Sequence, residues 1–198
     1  PVLLAADDFT SGAVGVLPEW LDGNRFVLSM GNTKPHKDLP TLLRAFAALA
    51  DTSLTLVLSG VDSGGYVASV LGDDPAAARV RFTGRVSDDT LRALYASAEL
   101  LAYPSLYEGF GLPPLEAMGF GTPVVVAEAA SVPEVVGDAA LTIEPGDVRA
   151  LTAAMTRILD DPALAVHLAD LGRARARELT WRHTAEQTAA VYRAVVAG

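Results

Sequence analysis

Between Arg25 and Ile143 short apolar runs alternate with helical stripes, and this alternation limits the fold more than any other feature of the sequence. Arg25-Phe-Val-Leu-Ser-Met30, Leu54-Thr-Leu-Val-Leu58, Arg79-Val-Arg-Phe-Thr83, Glu99-Leu-Leu-Ala-Tyr103, Pro123-Val-Val-Val-Ala127 and Ala140-Leu-Thr-Ile143 read as buried strands. Between them, Leu39, Leu42, Leu43, Phe46 and Leu49 form a helical stripe, and a short helix is expected from Tyr66 to Leu71. Ser87 caps a helix carrying Leu91, Leu94 and Tyr95, with Asp88 and Asp89 in its first turn, and a further helix runs near Pro113 to Met118. Strand and helix in strict alternation call for an α/β fold: a Rossmann-like, doubly wound, mostly parallel sheet of about six strands with helices on both faces. We divide the chain into a leading segment 1–24, a Rossmann-like domain 25–160, and C-terminal helices 161–198 packing on it.

In such sheets ligands bind beyond the carboxyl ends of the strands. Gly31, Ser59-Gly60, Gly84 and the Tyr103 to Gly111 loop all fall at such ends, so four separate stretches converge on one rim. The densest of them is Pro104-Ser-Leu-Tyr-Glu-Gly-Phe-Gly-Leu-Pro-Pro-Leu-Glu-Ala-Met-Gly119, with Glu108 and Glu116 on either side of a glycine and proline turn. Proline suits the first turn of a helix, glycine lets the backbone approach a ligand, and a helix start attracts an anion. Taken alone, the turn equally fits a tight strand-to-helix connection. Glu116 is expected in the first helical turn, where the helix dipole alone would favour a carboxylate. Glu108 precedes the glycines, where no such reason applies, and carboxylates suit vicinal diols. The second element, Gly31-Asn-Thr-Lys-Pro-His-Lys-Asp38, places Lys34, His36 and Lys37 together, suited to a diphosphate or simply to a basic loop before an Asp N-cap.

Composition removes several function classes. A net charge of −9 argues against a broad nucleic-acid-binding face. With no cysteine there is no disulfide, thiolate metal site or cysteine nucleophile, and the lean is to the cytosol. His36, His167 and His183 are scattered and no Asp-x-Asp occurs, so no metal site is expected. No Walker loop or Gly-x-Gly-x-x-Gly fingerprint is present. Pro1-Val-Leu-Leu-Ala-Ala-Asp-Asp8 lacks the basic region of a signal peptide, and the chain reads as part of something longer.

The Glu108 and Glu116 spacing, within Glu-Gly-Phe-Gly-Leu-Pro-Pro-Leu-Glu-Ala-Met, resembles the signature of retaining GT-B-fold glycosyltransferases of the group 1 family. That family includes bacterial mannosyltransferases and sucrose synthases. Gly31-Asn-Thr-Lys-Pro-His-Lys, Phe82-Thr-Gly-Arg-Val-Ser-Asp, Gly121-Thr-Pro-Val-Val and Ser131-Val-Pro-Glu-Val-Val-Gly-Asp carry the likeness across Phe26 to Gly146. The resemblance implies catalytic roles for Glu108 and Lys37, Lys37 binding the donor diphosphate and Glu108 the donor sugar hydroxyls. It places Gly31, Asn32, Lys34, Gly109, Phe110, Gly111 and Leu112 around the sugar and phosphate. Ser59, Gly60, Gly84, Arg85 and Val86 would border the nucleoside, with Glu116 on the ribose diol. One departure stands out: Asn32 occupies the position where many members carry an arginine, leaving Lys34 or His36 to substitute.

The resemblance further implies that the chain is the C-terminal, donor-binding half of a two-domain enzyme, with residues 1–24 as the inter-domain segment. That enzyme would move a sugar from a nucleotide diphosphate donor, GDP-mannose favoured, with retention and without cofactor or metal. Its partner is the N-terminal half of the same polypeptide, and its place the cytoplasm or the cytosolic membrane face, with peripheral association. Rival readings are another GT-B relative (a sugar-nucleotide epimerase or glycan phosphorylase) and a non-catalytic doubly wound binding domain. The closing stripe Trp181, Ala185, Ala189, Tyr192 and Val196 reads as a docking face within the domain, with exposure expected only if it serves a first half.

Overall fold

The computed structural model describes residues 3–21, 23–60 and 64–197. The expected apolar runs form β1 (Phe26–Met30), β2 (Thr55–Ser59), β3 (Val80–Phe82), β4 (Leu100–Tyr103), β5 (Val124–Ala127) and β6 (Leu141–Ile143). They build one six-stranded sheet in the order β3-β2-β1-β4-β5-β6, every neighbouring pair parallel. The helices are α1 (Asp7–Thr10), α2 (Leu39–Ala47), α3 (Tyr66–Leu71), α4 (Asp88–Ser97), α5 (Leu112–Phe120), α6 (Val132–Val136), α7 (Val148–Asp160), α8 (Pro162–Glu178) and α9 (Trp181–Ala197).

The strands are apolar at nearly every position because both faces of the sheet are covered, and successive side chains point to opposite faces. Val27, Leu56, Leu58, Leu100, Ala102 and Val125 pack on one side against Leu42, Leu43 and Phe46 of α2 and Leu151 and Met155 of α7. Phe26, Leu28, Val57, Leu101, Tyr103 and Val126 pack on the other against Leu94 and Tyr95 of α4 and Ala117 and Met118 of α5. Each fully buried Leu or Phe contributes about 1.5–3 kcal/mol, so these two layers carry most of the stability. Truncating Leu42, which is fully buried, costs about 2–5 kcal/mol.

Local signals set the helix starts. Ser87 caps α4 by accepting from the Thr90 N–H at 3.2 Å, and Asp147 caps α7 by accepting from the Ala150 N–H at 2.9 Å. Asp38 caps α2 through the Thr41 N–H at 3.4 Å while adopting a left-handed φ of 46°. Carboxamide and carboxylate side chains tolerate that region best among non-glycine residues. Together these caps fix where β1 and β3 hand over to their helices, and so where the rim loops lie.

The end of the chain departs from expectation. Trp181, Tyr192 and Val196 are 41%, 68% and 88% exposed, so the apolar stripe of α9 is not a docking face within the described residues. The partly covered residues of α9 include the polar Thr184, Gln187 and Thr188 together with Ala189 of the stripe. The helix is held at its start: the Trp181 N–H and indole N–H donate to Asp7 and Asp8, and the Thr184 hydroxyl donates to the Leu3 carbonyl at 2.6 Å. Polar tethers therefore decide its orientation, against the reading from apolar periodicity alone.

Candidate functional site

In the order β3-β2-β1-β4-β5-β6 the direction of winding reverses between β1 and β4, and in doubly wound sheets ligands bind at the carboxyl ends of the strands at such a reversal. The loop after β1 carries Lys37 and the loop after β4 carries Glu108, so topology alone brings these two stretches together. The Leu106 N–H donates to the His36 carbonyl at 2.7 Å and clamps the two loops. A single 3-10 turn, Pro35–Lys37, closed by the Lys37 N–H on the Lys34 carbonyl at 3.0 Å, turns Lys37 inward.

There the Lys37 ammonium lies 2.6 Å from a Glu108 carboxylate oxygen and 3.1 Å from the Tyr103 hydroxyl. Both side chains of the ion pair are largely covered, at 16% and 15% exposure. Burial works against the charge on Glu108, but hydrogen bonds from Lys37, Tyr103 and Ser105, with the Lys37 charge, outweigh it and hold the carboxyl below its usual range. Burial, reinforced by the Glu108 carboxylate, pushes the Tyr103 phenol far up, so it stays protonated. An ammonium has three donors, and Glu108 and Tyr103 occupy two of them.

Glu116 is placed differently from the expectation. Gly111 takes a left-handed φ of 95° as N-cap, so α5 begins at Leu112 and Glu116 falls beyond its first turn. The dipole argument for a carboxylate in the first turn therefore does not hold. Glu116 instead accepts from the Tyr95 hydroxyl at 2.8 Å. Burial lifts its carboxyl above the usual value, only partly offset by that bond, and the negative charges of Asp8 and Asp88 add to the rise.

The start of α5 is also sparer in donors than a generic helix end, because Pro113 and Pro114 in its first turn have no N–H. The backbone N–H groups left at this helix start are those of Gly111, a buried residue, and Leu112, with Phe110 just before them. The Phe110 ring itself turns away into a small apolar cluster with Leu115, Val135 and Leu179. Gly109 is exposed, and the Glu108 carbonyl accepts from the Ser131 hydroxyl at 3.3 Å, tying the loop to the start of α6.

The remaining rim residues lie at the other strand ends. Gly31 follows β1 with the Lys37 stem against it, while Asn32 turns back to accept from the Lys34 N–H at 3.1 Å and Lys34 itself is exposed. Ser59 ends β2. Gly60 and Gly84 are bridged backbone to backbone, the Gly84 N–H donating to the Gly60 carbonyl at 2.7 Å. Arg85 is exposed and Val86 leans on the core beneath α4. Sequence reading passed over Tyr103 and Tyr95 as sites. The signal was available: a Tyr buried at a strand end or mid-helix must place its hydroxyl on a polar partner. Among the described residues no three His, Cys, Asp or Glu side chains cluster as metal ligands would, and no helix is long and apolar enough to cross a membrane.

A doubly wound parallel sheet with a largely covered lysine–glutamate pair at its switch point defines a Rossmann-like domain. The chain belongs to the glycosyl transferases group 1 family, whose description matches residues 18–175. It is 40% identical over 181 residues to MMP alpha-(1->4)-mannosyltransferase of Mycolicibacterium hassiacum, covering 88% of this chain and 44% of that one. It is 38% identical over 175 residues to O-antigen chain mannosyltransferase B of Escherichia coli, covering 85% and 45%. Sucrose-phosphate synthase from Thermosynechococcus elongatus superposes with a TM-score of 0.75 at 29% identity, over 99% of this chain and 50% of that one. The chain thus spans less than half the length of these two curated relatives.

Proposed function

We propose that this chain is the donor-binding half of a retaining glycosyltransferase that takes a sugar from a nucleotide diphosphate sugar. The observation that carries the reading is the Lys37–Glu108–Tyr103 cluster at the β1/β4 switch point, beside the open amides before α5. Lys37 would meet the diphosphate with its third donor, and Glu108, held ionised, would accept from sugar hydroxyls. As the glycosyl bond breaks, negative charge grows on the departing phosphate oxygen. A fixed ammonium and the Gly111 and Leu112 amides stabilise that charge without reorganising, which is where such a site gains rate. The acceptor oxygen bonds to the anomeric carbon on the same face, and its proton passes to the leaving phosphate.

Glu116 would take the ribose diol, with Gly60, Gly84, Arg85 and Val86 around the base. Two relatives are named mannosyltransferases, which supports a mannosyl donor, and GDP-mannose is the one we favour. The reaction asks for no metal or cofactor in this reading, since Lys37 and the amides supply the positive field. The acceptor would be held by an N-terminal half that completes the crevice, in the cytoplasm or at the cytosolic face of a membrane. Calorimetric titration with GDP, UDP and dTDP, then their sugars, tests the reading. Saturable binding by one of them, weakened at least about tenfold in K37A, is expected for a lost charged hydrogen bond. Absence of binding by all three overturns it. The isolated chain should bind donor and transfer nothing, and turnover by it alone would overturn the division of labour.

A further inference from the structure

The donor-site reading gives Glu116 a task but does not say what aims it. Tyr95, on α4, is fully buried, and its hydroxyl donates to one Glu116 oxygen at 2.8 Å. Its backbone carbonyl accepts from the Thr122 hydroxyl, just past the end of α5. Tyr95 is thus fastened at its hydroxyl to α5 and at its backbone to the turn that follows α5.

The ring is fixed as firmly as the hydroxyl. It stacks on Phe120 at 6.1 Å with an interplanar angle of 6°, and Phe9 of α1 stands edge-on to both, at 86° and 88°. Such aromatic pairs add a preference for one ring geometry to the effect of burial. Phe9 in turn lies under the Arg92 guanidinium, 4.8 Å from its ring centre, and its carbonyl accepts from Arg92 at 2.9 Å. With one oxygen anchored, a carboxylate loses its freedom to spin, and its second oxygen points in a set direction.

Resting on the donor-site reading, we propose that Tyr95 is a positioning residue: its hydroxyl holds Glu116 so that the free carboxylate oxygen meets the ribose diol, while Phe9 and Phe120 lock the ring. Tyr95 touches no ligand itself. A tyrosine serving only to fill the core would stabilise the domain without distinguishing one nucleotide from another, and this separates the two roles.

The test is a cycle on the full 198-residue chain with Y95F, which keeps the ring and removes only the hydroxyl. GDP and UDP are titrated calorimetrically, each against its 2′,3′-dideoxy analogue, after thermal melts show that both proteins are folded. The wild-type chain should bind the parent nucleotide about tenfold more tightly than the dideoxy form, the scale of a charged hydrogen bond. Y95F should weaken the parent nucleotide about three- to tenfold and leave the dideoxy form within about twofold. Equal weakening of both, or of neither, overturns the positioning role. A wild-type chain that binds nucleotide without discriminating the diol overturns this proposal and leaves the donor site standing. A wild-type chain that binds neither nucleotide overturns both.

Discussion

Lys37 and Glu108 stand 71 positions apart in sequence and 2.6 Å apart in space. Their meeting is a product of topology, since β1 and β4 are neighbours and Leu101 registers on Leu28. The backbone bond from Leu106 to His36 then removes the slack that two facing loops would otherwise have.

Removing the ammonium leaves Glu108 covered and uncompensated. K37A should lose about 1–3 kcal/mol, less than for a wholly buried pair because some water reaches the site. Chemical denaturation measures it. K37R should restore part of the stability but not nucleotide affinity, because a planar guanidinium cannot offer three donors from one point.

The two glutamates should respond to pH with opposite sign. Glu108 titrates below its usual range, so its contribution is present above about pH 4.5, the ordinary glutamate value, and is lost as pH falls toward the depressed folded value. Glu116 titrates above its usual range, so its ionised form costs stability at neutral pH, a cost that shrinks as pH falls below the raised value and is gone below about pH 4.5, the ordinary glutamate value. At pH 7 E108Q should therefore melt below the parent and E116Q above it, with both differences closing in acid. Melting curves from pH 7 to pH 3 read this directly.

Arg92 fastens the leading segment to α4 through the carbonyls of Phe9 and Ala13. R92A should cost about 1–2 kcal/mol, the sum of the lost charged hydrogen bonds discounted for their partial exposure. Limited proteolysis should then cut within residues 9–16, where the parent resists.

Gly111 is the hinge between the Glu108 loop and α5. G111A would force a side chain into a left-handed backbone and bring its Cβ to 3.3 Å from a Val132 methyl. A cost of about 1–2 kcal/mol is expected from backbone strain alone, and nucleotide affinity should fall with it because the Gly111 and Leu112 amides turn away.

The sheet was legible because each strand is an unbroken apolar run, and all six lie within one or two residues of where the runs place them. The caps at Ser87 and Asp38 were legible because their chemistry is local. Glu116 was misplaced by part of a turn because proline at either of the first positions starts a helix equally well, and only Gly111's left-handed φ decides between them. Tyr95 and Tyr103 were hidden for another reason. Their importance lies in partners on other elements, and no spacing in the sequence records that Tyr95 meets Glu116 or that Tyr103 meets Lys37. The α9 stripe misled because periodicity shows a face without showing whether anything covers it.

The floor beneath the proposed base is almost bare backbone. Gly60 and Gly84 pair main chain to main chain, and a Cβ on Gly60 would lie 3.0 Å from the Gly31 carbonyl. Gly60 therefore has no room for a side chain, and in the proposed site nucleobase preference is expected to rest on side chains that flank this bridge, Arg85 and Val86 among them.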